Sequence, residues 1–172
     1  MSIVVSKQNT VFIGDVNIHK KPTGEELANI AIEIANSAKN FGYFPRVAFL
    51  SYSNFGNPPG SNSKKINKCL KLLKEKNVDF EFDGEMTSEI ALDYELIKEN
   101  YPFCKLTGPA NVLIMPDLYS ANISFKLLQK MGSLSVIGPI MTGEGNPFQI
   151  IQMGASVSDI VNAASISAYN SL

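Results

Sequence analysis

The chain has no tryptophan, one histidine and two cysteines among its 172 residues. The single histidine, His19, lies in the polar stretch NIHKKP with no second ligand or serine-based triad in view, so metal catalysis and Ser-His chemistry are unsupported. Cys69 and Cys104 are too few for a disulfide framework, and their spacing fits no metal signature. Cys69 falls on an apolar helical stripe, where a small hydrophobe is expected. No apolar run approaches roughly 18 residues, and no basic-then-apolar leader opens the chain. Charge of one sign is also missing: Lys plus Arg number 15 and Asp plus Glu 16, so no bulk field favours nucleic acid or an acidic membrane surface. These absences leave a soluble, cytoplasmic domain as the expectation, long enough to bury roughly two-thirds of its unfolded surface.

What is present alternates. Thr10 to Gly14 is a short β-branched and aromatic run that predicts a strand. Thr23 then stands as a helix N-cap with Glu26 completing a capping box. Leu27, Ile30, Ala31, Ile34, Ala35, Ala38 and Phe41 recur at three- and four-residue steps, and Gly42 followed by Pro45 stops the helix. Arg46 to Ser51 predicts a second strand. A helix with Ile66, Cys69, Leu70 and Leu73 inward follows, its lysines mostly around the rest of the cylinder as a solvated face or an attraction for a phosphorylated ligand. Val78 to Phe82 predicts a third strand, and Ile90, Tyr94 and Ile97 one helix. Asn111 to Met115 has the continuous apolar character of a central strand. Leu118 to Phe125 and Leu128 build a helix ending at Gly132, Leu134 to Ile137 a fifth strand, and Ser156 with Asp159 caps a last helix. Strands alternating with helices predict an α/β domain with a mostly parallel sheet.

In such sheets ligands gather at the carboxyl ends of strands. Four polar or glycine-rich segments are expected on that edge: Ser51 to Ser63, Asp83 to Glu85, Pro116 to Asn122 and Gly138 to Asn146. The first, SYSNFGNPPGSNS, precedes a helix N-terminus, where an anion is favoured. It has no P-loop pattern, and its two prolines remove donors, so an ordered turn competes with a phosphate cradle. Asp83 and Glu85 read as an acidic turn before a helix, with acid-base chemistry the alternative. Asn122 lies on the inward stripe of its helix and needs a hydrogen-bond partner, from a neighbouring loop or a ligand.

The stretches PTGEELANIAIEIANSAKNFG, RVAFLSYSNFG, DGEMTSEIALD, ANVLIMPDLYSANISFKLL and GPIMTG, in that order, resemble the phosphate acetyl/butyryltransferase family. The similarity is strongest to the C-terminal phosphotransacetylase-like region of hybrid NADP-dependent malic enzymes. The resemblance implies a three-layer αβα sandwich, the second domain of a phosphotransacetylase-like (isocitrate/isopropylmalate dehydrogenase-like) fold. It divides residues 1–172 into an extension at 1–9, an α/β core at 10–148, and a terminal segment and helix at 149–172 that would pack on a first domain absent from this chain. The ligand-side residues it implies are Ser53, Asn54, Gly138, Pro139, Gly143, Gln152 and Asp159, with acetyl-CoA or CoA as ligand and no covalently bound cofactor.

One departure matters. Family transferases have a segment resembling D-L-S-R-G-x-S-V-x-D-I-V, whose serine, arginine and last aspartate serve the CoA and acetyl-transfer site. Here those positions hold Gln152, Met153 and Asp159. Loss of the arginine removes a fixed positive charge, and one such donor is worth about 2.7–4 kcal/mol of barrier. The resemblance therefore implies an acyl-CoA-sensing, oligomerising domain of a malate-decarboxylating protein, without transferase activity itself. The alternatives are a phosphate acetyltransferase with Asp159 as base, acting on acyl-CoA or acetyl phosphate, and a ligand-free dimerisation scaffold.

Overall fold

The computed structural model describes residues 1–7, 9–14, 18–58, 60–131, 134–142, 148–151 and 153–171, without the side chains of Ser61 and Asn62. Six strands form one sheet: β1 (Ser2–Val5), β2 (Thr10–Gly14), β3 (Arg46–Leu50), β4 (Glu81–Met86), β5 (Val112–Ile114) and β6 (Ser135–Ile137), in the spatial order β4-β3-β5-β2-β1-β6. The helices are α1 (Gly24–Asn40), α2 (Ser61–Glu75), α3 (Ser88–Leu92), α4 (Tyr94–Asn100), α5 (Leu118–Met131) and α6 (Val157–Tyr169). Neighbours β4-β3, β3-β5 and β5-β2 run parallel; β1 runs antiparallel to both β2 and β6. Five strands therefore point one way, as the βαβ alternation requires.

Side-chain alternation along the strands builds the two faces. Phe12, Val47, Phe49, Val112 and Ile114 join α1 and α2 in one core. On the opposite face Ala48, Leu50 and Leu113 pack with Ile90 and Ile97 of α3 and α4, and Ile13 packs with Ala121 and Phe125 of α5. The result is the expected αβα sandwich. Helix α1 follows its sequence signals closely. Thr23 Oγ1 accepts from Glu26 N at 3.2 Å and the Glu26 carboxylate accepts from Thr23 N at 2.7 Å. At the other end Gly42, at φ +82°, lets its N–H reach Lys39 O and that of Tyr43 reach Ala38 O, a Schellman closure. Gly24 is needed for packing: a Cβ there would stand 2.8 Å from Lys65 O, where α1 meets α2.

Three expectations change. Residues Ser2–Val5, set within a terminal extension by sequence, form β1 with ladder partners on both sides, and Ser2 is fully buried. The third strand begins at Glu81 rather than Val78 and runs through Asp83 and Glu85, which are buried instead of lying in an acidic turn. Buried partners for both carboxylates make this possible. Finally, the single helix expected around Ile90 and Ile97 is two, broken at Asp93, whose Oδ1 accepts from the N–H groups of Glu95 and Leu96 and so starts α4.

Candidate functional site

At the carboxyl ends of β3 and β4, one carboxylate gathers three segments. Glu85, only 2 % exposed, accepts hydrogen bonds at Oε1 from Ser53 Oγ in the loop after β3 and from Ser63 Oγ (2.7 Å) in the first turn of α2. Ser51 Oγ lies 3.3 Å from Ser53 Oγ. Because the Ser53 proton is given to Glu85, Ser51 is the donor of that pair. The backbone N–H groups of Ser51, Asn54, Phe55 and Asn57 go to Met86 O, Asn57 O, Glu85 O and Asn54 O, and Asn54 Oδ1 accepts from Thr87 N. An anion cradle needs free donors, and four backbone N–H groups of this loop, with the Ser51 and Ser53 hydroxyls, are spent within the protein. Ser53 and Asn54 thus sit in an ordered turn, with the Glu85 carboxyl group beside the first turn of α2. The second acid of the strand is also held: Asp83 accepts from Gly84 N and from Lys105 N. Gly84, at φ +154°, is fixed by contact, since a Cβ would stand 2.8 Å from Phe49 Cβ.

Next along the edge, Lys65 Nζ donates to Pro116 O at 2.6 Å. Burial holds its ammonium below the usual range, with Asp117 opposing. Asp117 accepts from Ser120 N and Oγ, so it caps α5. The other α2 lysines are solvent-exposed. Asn122 and His19 are both half-buried and already engaged within the protein.

A separate cavity of about 160 Å³ opens where β6 meets α6. Gly138, Pro139 and Asp159 line it, together with Gln129, Gln149 and Asn162. Gly138 has a packing reason of its own: at φ +137° it lies so close to β1 that a Cβ would be 2.7 Å from Ser2 Oγ. Asp159 is exposed, and its carboxylate completes a capping box, accepting from Ser156 N at 2.8 Å and Ser156 Oγ at 2.7 Å. Those two bonds hold its pKa below the usual carboxylate range, which suits a cap better than a base. Gln149 Oε1 accepts from Met141 N at 3.0 Å, which directs Nε2 the other way; that buried amide nitrogen has no partner among the described residues. Met153 is fully exposed. No lysine, arginine or histidine occurs anywhere in the chain beyond Lys130. Gly143 and Gln152 lie outside the described residues. Among the described residues no cluster of three His, Cys, Asp or Glu side chains could hold a metal, and no helix is long and apolar enough to cross a membrane.

The residues singled out by sequence thus fall into two groups on one sheet edge. Ser53 and Asn54 sit beyond β3; Gly138, Pro139 and Asp159 sit by β6, four strand spacings away, roughly 19 Å. Sequence reasoning missed Ser63, Gln149 and Asn162, and it misplaced Glu85. Only the weak polar enrichment of the two loops pointed towards them.

Fold and site together define an α/β domain with a buried carboxylate–serine cluster beyond β3 and a polar cavity between β6 and α6. The chain belongs to the Phosphate acetyl/butaryl transferase family, which it matches over residues 1–168. It is 49 % identical over 170 residues to an NADP-dependent malic enzyme of Rhizobium meliloti, covering 99 % of this chain and 22 % of that protein. It is 40 % identical over 165 residues to a phosphate acetyltransferase of Buchnera aphidicola, covering 95 % of this chain and 23 % of the relative. Among solved structures, a phosphotransacetylase from Staphylococcus aureus superposes with a TM-score of 0.91 at 30 % identity, over 99 % of this chain and 53 % of that one. The chain therefore spans under a quarter of these curated relatives and about half of that solved chain.

Proposed function

We propose that this chain is an acyl-CoA-binding, regulatory and oligomerising phosphotransacetylase-like domain of a cytoplasmic hybrid NADP-dependent malic enzyme, and that it does not itself transfer acyl groups. The observation that carries the reading is the cation-free character of the β6–α6 cavity. Its described lining contains Gln129, Gln149, Asn162 and one capped carboxylate, and the chain has no basic residue after Lys130. Neutral amides suit the carbonyl and amide groups of an acyl-pantetheine arm, and the unpartnered Gln149 Nε2 is a donor for such a carbonyl. Acyl transfer to phosphate needs positive charge where negative charge develops, and the position that supplies it in family transferases holds Met153. The 149–172 segment exposes Ile150, Ile151, Val157, Ile160 and Val161. In this reading that apolar surface packs on a further domain of the parent protein.

Calorimetric titration with acetyl-CoA, paired with an assay for acetyl-CoA formation from acetyl phosphate and CoA, tests the proposal. Binding heat without turnover is the expected result, and Gln149→Ala is expected to weaken binding about tenfold. Turnover by the unmodified chain would instead establish a transferase, with Asp159 as the base to examine. The absence of binding heat would leave a scaffold. Allosteric coupling to malate decarboxylation requires the ligand to prefer one of two states of the parent protein. Malate turnover with and without acetyl-CoA reads that preference.

A further inference from the structure

Helix α6 lies on the same face of the sheet as α1, where Ile166 joins the α1 core. Its carboxyl end is tied to that of α1: the Tyr169 ring stacks on Phe41 with centroids 5.6 Å apart, and Tyr169 Oη donates to Asn40 O. Beside that stack lies an open cleft of about 380 Å³. Ile3, Val5 and Phe12 of β1 and β2 line it from the sheet, and Phe41 and Tyr43 from the end of α1. Tyr43 Oη donates to Thr10 Oγ1 at 3.1 Å, so that pair of hydroxyls is satisfied. Water in such an apolar cleft finds few partners, and an apolar occupant gains free energy there.

The cleft does not stand alone. Ile137, Asn162 and Ile166 line both it and the polar β6–α6 cavity, so the two spaces adjoin along α6. We infer that the cleft takes the alkyl chain of an acyl-CoA, so that the domain favours medium-chain esters over acetyl-CoA. This rests on the acyl-CoA reading of the polar cavity given above. A thioester carbonyl held among the amides of Gln149 and Asn162 puts the next carbons of the acyl group at the boundary between the two spaces. An acetyl methyl stops there, against Ile137 and Ile166. A longer chain continues over Val5 and Phe12 to Phe41, where the stacked Tyr169 closes the path. From Asn162 to Tyr169 is roughly 10 Å along the helix. At about 1.3 Å of advance per carbon, this seats a chain of about six to eight carbons.

Calorimetric titration of the whole chain with acetyl-, butanoyl-, hexanoyl-, octanoyl- and dodecanoyl-CoA tests the inference. Each added methylene is expected to tighten binding roughly two- to fourfold up to hexanoyl-CoA, with a heat capacity of binding that grows more negative. Dodecanoyl-CoA should gain nothing over octanoyl-CoA. Ser165→Phe, at an exposed position on the rim of the cleft, should lower the hexanoyl-to-acetyl affinity ratio severalfold with far-UV circular dichroism unchanged. Equal affinity across the series would overturn the inference alone and leave acyl-CoA binding in place. A chain-length gain that Ser165→Phe leaves intact would overturn it too, because the chain would then lie elsewhere. No heat with any ester, acetyl-CoA included, would remove the acyl-CoA reading itself and this inference with it.

Discussion

Glu85 accepts from two serines on different segments, and its Oε2 has no partner among the described residues. Removing its carboxylate leaves the buried Ser53 hydroxyl without an acceptor and frees the loop after β3 from the first turn of α2. Glu85→Ala is expected to lower unfolding stability by about 1–3 kcal/mol. Urea denaturation measures this, with Ser53→Ala, which removes only one donor, costing less. The thiols offer a second residue-scale prediction. Burial pushes Cys69 up to about 12, and burial together with Asp83 pushes Cys104 up to about 11, with backbone hydrogen bonds opposing at Cys104. Both thiols are held neutral, so the folded protein should react slowly with a thiolate-specific reagent at pH 8 and rapidly once unfolded. The sign of the linkage follows: the folded state keeps protons that the unfolded state loses. This contribution is complete below the unfolded thiol pKa and declines as the pH rises through the folded values. The role of Cys69 was legible because its neighbours Ile66 and Leu73 repeat at helical spacing. That of Glu85 was not, because its partners are 32 and 22 residues away in sequence.

Two helices carry reciprocal capping boxes, on Thr23–Glu26 and Ser156–Asp159, and both were readable as local four-residue patterns. Thr23→Ala is expected to cost about 1 kcal/mol, read from the denaturation midpoint. In both boxes hydrogen bonds from the capping residue hold the acid below its ordinary pKa. Folded pKa values that are depressed contribute stability above the unfolded carboxylate pKa, and this is lost as the pH falls through the folded values. Ser156→Ala should therefore reduce the acid sensitivity of α6, seen as a smaller loss of amide-exchange protection in that helix on acidification. Elements whose signals are non-local fared worse. The β1 strand is short, and it is fixed only by pairing with β2 and β6. The extent of β4 was hidden because two acids and a glycine oppose strand propensity, and only tertiary partners for those acids offset that.

For the whole molecule, ligand binding and stability are linked by mass action. If the acyl-CoA reading holds, ligand at about 100 times its dissociation constant adds about 2.7 kcal/mol, raising the melting temperature of a chain this size by roughly 5–10 °C. Differential scanning calorimetry checks it, and an unchanged melting temperature would count against binding. Inorganic phosphate alone should give no comparable shift, because the β6–α6 cavity has no described cation and the loop after β3 turns four backbone N–H groups and the Ser53 hydroxyl inward.

By itself the sequence determined the αβα class, the α1 and α2 core faces, both capping boxes and the lack of any basic residue after Lys130. Each is a matter of local periodicity, of a four-residue pattern, or of residue identity, which needs no knowledge of distant neighbours. Tertiary structure alone decided that the expected site residues divide between two ends of the sheet edge. It also decided that Glu85 is buried among serines and that β1 lies between β2 and β6. Those outcomes depend on strand order and on which hydrogen-bond partners arrive from far along the chain, and no local pattern encodes either.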